Sequence, residues 1–181
     1  GIPVNIKHVH DYDWEASLAE PRLAILANAT AIAPGQTEHM ETYVKNGNTL
    51  IVSGLTGIYD KYRHFTPTDH FPLKKLFGGR YKEIRLPDIY GDITISDPDV
   101  TVPYHLWVGE IEPFEAEVLG KDDDQVIATH HAYGQGHVYW IPSLIGLPAF
   151  EKDNAPLMRL LEAWAGPFIS ASPLRFQTKC Q

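Results

Sequence analysis

The sequence predicts an α/β fold, a three-layer sandwich on a mainly parallel sheet, carrying a β-rich insertion. Three patterns point there. Arg22 to Ala27 (RLAILA) and Asn48 to Ser53 (NTLIVS) are short, nearly unbroken apolar runs, as expected of strands covered on both faces. Stretches with helical spacing alternate with such runs, the order that crossover connections produce. From about residue 81 to 124 the chain changes to short alternating segments broken by Asp-Pro and Gly signals, which marks the insertion.

Taken in order, Ile2 to Val9 alternates β-branched residues and reads as a strand. Asp11 to Glu20 has room for one helical turn, with Trp14 and Leu18 four apart before Pro21 stops it. Arg22 to Ala27 is the next strand. Pro34 to Asn46 places Met40, Tyr43 and Val44 on one helical stripe, closed by Gly47. Asn48 to Ser53 follows as a strand, and Gly54 to His70 is too polar for core and reads as a long loop at its end. Pro72 to Phe77 is a short helix that Gly78-Gly79 terminates. Asp92 to Ser96 and Thr101 to Pro103 are insertion strands. Gln125 to His131 and His137 to Ile141 flank Tyr133-Gly134-Gln135-Gly136 as a hairpin. In Ala155 to Ala165, Leu157, Leu160, Leu161 and Trp164 fall at helical spacing before Gly166-Pro167. Residues 1–166 are thus expected to form one domain, with 167–181 as a tail.

A length of 181 residues suits one core, and 44% hydrophobic with 21% charged residues is a globular composition. A net charge of -8 without a basic stripe would repel a phosphate backbone, so nucleic acid is not an expected partner. No apolar run reaches the roughly 18–20 residues that span a bilayer, so no membrane partner is expected either. The one cysteine, Cys180, excludes an internal disulfide framework.

Gly1-Ile2-Pro3-Val4, LAILANAT, YVKNGNTLIVSGLTGIYD and YGQGHVYWIPSLIGLP together resemble, in order over about residues 1–165, the domain that follows the catalytic barrel in trimeric microbial β-galactosidases of glycoside hydrolase family 42 type. The resemblance implies a flavodoxin-like, class I glutamine amidotransferase-like fold without that chemistry, and a part in subunit assembly. It further implies that the chain begins after a first strand and helix, and that Ile169 to Gln181 opens a following β domain. In that alignment Ser53 holds the nucleophile position, but Ile51 and Leu55 replace the small residues of a tight elbow. Ile141, Pro142 and Ser143 stand where a His-Pro-Glu would supply base and orienter. The expected function is therefore a noncatalytic assembly domain of a larger carbohydrate-active enzyme. Its expected partners are other subunits or the catalytic domain of the same protein, with carbohydrate as a further candidate. A free-standing hydrolase and a carbohydrate-binding module are the alternatives. No cofactor is implied.

The candidate interface or ligand residues are Ser53, Tyr59, Asp60, Tyr62, Arg63 and Phe65. Ser53 reads either as a nucleophile served by His64 or His70, or as a strand-end serine bonded to a loop. Tyr59, Asp60 and Arg63 bring a phenol, a carboxylate and a guanidinium into one sheet-end loop, suited to a sugar hydroxyl or a partner chain, or to an exposed salt bridge. Tyr62 and Phe65 complete its aromatic anchors. His130, His131 and His137 cluster in the hairpin, yet His130 and His131 point to opposite strand faces, so no metal is expected there. Glu110, Glu112, Glu115 and Glu117 read as the solvent side of an insertion strand rather than as glycosidic carboxylates. Tyr104, Trp107 and Phe114 are either a sugar platform or the inner face of the insertion.

Overall fold

The computed structural model describes residues 5–15, 22–86, 88–151 and 153–171. In chain order its elements are β1 (Leu23–Ala27), α1 (Pro34–Lys45), β2 (Thr49–Ser53), α2 (Lys74–Phe77), β3 (Gly79–Arg85), β4 (Tyr90–Ser96), β5 (Asp99–Pro113), β6 (Glu117–Asp122), β7 (Gln125–Tyr133), β8 (Gly136–Ile141), β9 (Ser143–Leu144), α3 (Gly146–Glu151) and α4 (Ala155–Ala171). α1 starts with Pro34 at its first position, and the Gln36 side chain accepts the Ala33 amide at 3.0 Å. At its far end Gly47 turns the chain with φ 93°. Asn48 then ties helix to strand: its amide donates to the Tyr43 carbonyl at 2.8 Å, and its side-chain oxygen accepts the Arg22 amide at 2.7 Å.

The strand pairing overturns the mainly parallel three-layer sandwich of flavodoxin-like or amidotransferase-like type. Among the described residues two pairings are parallel, β1–β2 and β2–β8, and the other seven are antiparallel. The strand order is β1-β2-β8-β7-β6-β4-β5-β3, with β9 on β5. Ile111 of β5 pairs with Val126 of β7, and Ile95 of β4 with Gly120 of β6, so β7-β6-β4-β5 closes on itself as a barrel-like sheet. The physical reason lies in the connections. The apolar β2 is covered on both faces and does sit between parallel neighbours, but β7 reaches β8 through a two-residue turn, which joins only antiparallel strands. The β-rich segment is continuous with the sheet rather than added to it. β5 runs for 15 residues, pairing first with β4 and then with β3, and bends at Leu106, whose φ is 66°.

Other expectations shift as well. Residues 5–9 form no strand, and residues 1–4 lie outside the described residues. Trp14 sits in a turn, where its indole donates to the Val9 carbonyl at 3.3 Å and meets Tyr43 edge-on at 5.3 Å. Leu18 lies outside the described residues. α4 runs through Gly166 and Pro167 to Ala171. Residues 172–181, and with them Leu174, Phe176 and Cys180, lie outside the described residues.

Two cores lie on the two faces of the parallel strands. Alternation in β2 sends Leu50 and Val52 toward Met40, Tyr43 and Val44 of α1 and Phe77 of α2. It sends Ile51 toward Leu160 and Trp164 of α4 and the barrel residues Ile93, Ile95, Val102 and Ile127. Trp140 of β8, fully buried, centres the first core, with ring centroids of Phe77 and Tyr81 at 4.9 Å and Phe71 at 5.7 Å.

Gly136 opens β8 against the C-terminal turn of α1. A Cβ there would stand 2.1 Å from the Asn48 carbonyl oxygen and 2.2 Å from that of Val44. Gly136→Ala is expected to lower the unfolding free energy by more than about 2 kcal/mol, since backbone cannot move aside cheaply. Gly166→Ala in α4, with nothing within 4 Å, is expected to raise it by roughly 0.5–1 kcal/mol. Urea unfolding of both variants measures the contrast, and a neutral Gly136→Ala would contradict the packing of β8 on α1.

Candidate functional site

In sheets of this kind ligands gather at the carboxyl ends of the parallel strands. Here that crevice is laced shut by the chain's own groups. Asn28, just past β1, adopts φ 61° and Gly54, just past β2, adopts φ 67°. The Asn28 amide donates to the Ser53 carbonyl at 2.9 Å, and its side-chain oxygen accepts the Leu55 amide at 2.9 Å. Thr56 Oγ1 donates to the same Ser53 carbonyl at 2.9 Å and accepts the Ala29 amide at 3.1 Å. Gly54 donates its amide to the Ser143 carbonyl at 3.0 Å. The buried Tyr81 hydroxyl reaches in from β3 to the carbonyls of Thr56 at 3.1 Å and Gly54 at 3.3 Å.

Ser53 is half-buried behind this lacing, opposite Ala27 and Ile141. Of the two histidines considered as its base, His64 and His70, His64 is engaged elsewhere, with Asp60. Asn28 is the residue that sequence reasoning passed over. Its signal was an Asn directly after an apolar strand, since Asn tolerates the left-handed backbone that seats its side chain over the strand end.

The loop 54–70 contains a small hairpin. Thr66 donates its amide to the Ile58 carbonyl at 2.7 Å and Asp60 to the His64 carbonyl at 3.1 Å, while a parallel bridge joins Tyr59 to Ala31. Asp60 organises the tip. Its Oδ1 accepts the amides of Tyr62 at 2.7 Å and His64 at 2.9 Å, and its Oδ2 lies 3.0 Å from His64 Nδ1. Partial burial pushes the Asp60 carboxyl up, but the two amides and the imidazole outweigh it and hold the carboxyl below the ordinary aspartate value. Arg63 takes the left-handed turn position at φ 64°. Tyr59 is half-buried and supports Phe65 at 5.8 Å, leaving Phe65 59% and Tyr62 67% exposed. Lys61 Nζ lies 4.8 Å from the centre of the Tyr62 ring. Tyr59, Asp60, Tyr62, Arg63 and Phe65 therefore share one structured knob, and Ser53 belongs to the strand end beneath.

The remaining candidates disperse. His130 Nε2 meets His137 Nδ1 at 3.0 Å, with Glu117 3.4 Å from His130 Nδ1, while His131 faces the other side and bonds the Leu76 carbonyl at 2.9 Å. No group of three metal-ligating residues converges among the described residues. Glu110 is buried, against the solvent-side expectation, and pairs with Lys82 at 2.6 Å, whereas Glu112 pairs with Arg80 at 2.9 Å. Tyr104 lines the barrel core, Trp107 is half-buried and Phe114 is exposed beneath Arg80.

Because the Asp60 carboxyl is held down in the folded chain, its contribution to the knob is present above the unfolded value of 3.8 and is lost as pH falls through the lower folded value. Protection of the Tyr62 and His64 amides, relative to their intrinsic exchange rates, is expected to fall in that acid range, and at neutral pH in Asp60→Ala, with the melting temperature nearly unchanged. Unaltered protection in Asp60→Ala would mean that the Ile58–Thr66 pairing alone holds the tip.

The sequence profile described as "Beta-galactosidase trimerisation domain" matches residues 5–165. No curated protein matches the sequence. Among solved structures, a β-galactosidase from Bacillus circulans sp. alkalophilus superposes with a TM-score of 0.63 at 20% identity, over 83% of this chain and 24% of that one. A β-galactosidase from the Antarctic haloarchaeon Halorubrum lacusprofundi gives 0.64 at 16% identity, over 83% and 23%. A ThuA-like protein from Bacteroides uniformis gives 0.59 at 14% identity, over 88% and 74%. At such identities these structures share the fold, and the chain spans about a quarter of the length of the two β-galactosidases. The profile match covers most of the sequence: the chain belongs to the β-galactosidase trimerisation domain family.

Proposed function

We propose that this chain is a noncatalytic assembly domain of a larger carbohydrate-active enzyme, a β-galactosidase-like glycoside hydrolase, and that the hairpin 58–66 contacts another subunit or the catalytic domain of the same protein. The observation that carries this reading is the contrast at the strand ends. The crevice that would hold a small ligand is consumed by internal hydrogen bonds, while beside it an internally hydrogen-bonded hairpin presents Tyr62 and Phe65 to solvent. Exposed aromatics on a pre-ordered scaffold suit association, because little side-chain or loop entropy remains to be lost on docking. Tyr59 and Asp60 act as the supports and Tyr62, Arg63 and Phe65 as the contact surface. Ser53 serves by its backbone.

Tyr62→Ser with Phe65→Ser is expected to raise the concentration at half-assembly by tenfold or more in the polypeptide as its host makes it, with the melting temperature within about a degree of the parent. Sedimentation velocity over a dilution series reads the first quantity and thermal unfolding the second. An unchanged assembly state would remove this hairpin from the interface.

A further inference from the structure

A closed ring of three copies cannot be built from one self-complementary patch. It needs a heterologous contact, in which one surface of each copy meets a different surface of the next. The assembly reading leaves that second surface unassigned, and the exposed charge of the molecule identifies a match for the first.

The hairpin tip is cationic and aromatic. Lys61 and Arg63 are both exposed and, among the described residues, neither has a carboxylate partner, in a chain whose net charge is -8. Asp60 is turned inward on the His64 ring and the backbone amides. The tip thus offers the rings of Tyr62 and Phe65 flanked by two cations without a carboxylate partner among the described residues, Lys61 lying over the Tyr62 ring.

The converse composition occurs where β3 passes to β4. Leu86 is 71% and Ile89 63% exposed, although the Ile89 carbonyl anchors the segment by accepting the Leu106 amide at 2.8 Å. Tyr90 continues the apolar surface, with its ring 5.1 Å from that of His105 and its hydroxyl donated to Glu151 of α3. Asp88 is exposed between Leu86 and Ile89 and has no cationic partner among the described residues. Arg85 nearby is held by Asp122 at 3.3 Å. Burial first, and then the Asp122 and Asp88 carboxylates, push the Tyr104 phenol up, against the opposing Arg85 guanidinium.

Among the described residues the bonds of Ile89 and Glu151 go to Leu106 and Tyr90, not to the hairpin. The hairpin is bridged to the segment after β1, and the acidic surface lies at the β3–β4 connection and on α3, while Tyr81 of β3 bonds the carbonyls of Gly54 and Thr56 at the base of the loop that carries the hairpin. Each is an apolar centre with charge at its rim, and the rims are opposite in sign, the arrangement that steers and registers a specific contact. Tyr and Arg on the knob are the residue types that concentrate binding energy at interfaces.

We propose that the hairpin 58–66 of one copy docks, through Tyr62, Phe65, Lys61 and Arg63, onto the Leu86, Asp88, Ile89 and Glu151 surface of a second copy. The assignment rests on the assembly reading and adds the facing surface and the head-to-tail sense of the contact.

Charge reversal tests it in the polypeptide as its host makes it. Lys61→Glu with Arg63→Glu, and separately Asp88→Lys with Glu151→Lys, are each expected to raise the concentration at half-assembly at least tenfold in sedimentation velocity. The fourfold variant carrying both reversals is expected to recover most of that loss, with circular dichroism verifying the fold of every variant. A parent protein that stays monomeric throughout would overturn the assembly reading itself. A parent that assembles, with either reversal leaving assembly intact, or with the fourfold variant no better than its components, would overturn the pairing of these two surfaces and leave the assembly reading standing.

Discussion

β8 is the constraint on which the rest of the structure depends. Among the described residues it is the one strand that runs parallel to one neighbour, β2, and antiparallel to the other, β7, with five residue pairs on each side. Everything toward β1 is organised as helix-crossed parallel sheet, and everything toward β5 as hairpins and barrel. Its side chains divide in the same way. Val138 and Trp140 enter the core shared with α1 and α2, while Ile141 enters the core shared with α4, and Tyr139 stacks on Trp164 at 4.5 Å. Complete burial of an indole such as Trp140 removes roughly 150–250 Å² from water, a gross gain of about 4–6 kcal/mol before entropy is charged against it. A strand with such weight on one face and a second core on the other can shift neither its register nor its neighbours.

Local signals around β2 and α1 hold, whereas the strand expected to reach Val9, the helix stop at Gly166-Pro167 and the extrapolation to a mainly parallel sheet do not. The buried run TLIVS is parallel to both its neighbours, and α1 ends where Gly47 ends it. The hairpin around Gly134-Gln135 was equally visible, and it already obliged β7 to run against β8. Three parallel strands were generalised to a whole sheet, whereas alternation between residues 81 and 124 belonged to strands that pair with one another and with β7. Two features had no sequence signal. The closure of β5 on β7 rests on Ile111 meeting Val126, a contact across fourteen intervening residues that no local pattern encodes. The burial of Glu110 depends on Lys82 arriving from β3.

The candidate site was legible in its parts. Aromatic, acidic and basic residues between 59 and 65 stood out as a sheet-end group, and they do share one hairpin. What could not be read was the role of each. In sequence Asp60 is a carboxylate suited to a ligand or a salt bridge, but three bonds from Tyr62 and His64 turn it into the scaffold of the tip. His64, weighed as a base for Ser53, is a strut of the same scaffold. Such assignments follow from backbone geometry four residues apart, where the left-handed Arg63 determines what Asp60 can reach.

The lacing of Asn28, Gly54 and Thr56 over the strand ends bears on how this domain can diversify. Opening that crevice for a ligand would strand several backbone donors and acceptors at once, and no single substitution supplies replacements. Innovation at the strand ends is thereby discouraged, whereas side chains at the hairpin tip, whose backbone is held from within, are free to change without disturbing the sheet. A lineage built on this scaffold would be expected to vary its hairpin tip and to keep its strand ends nearly constant.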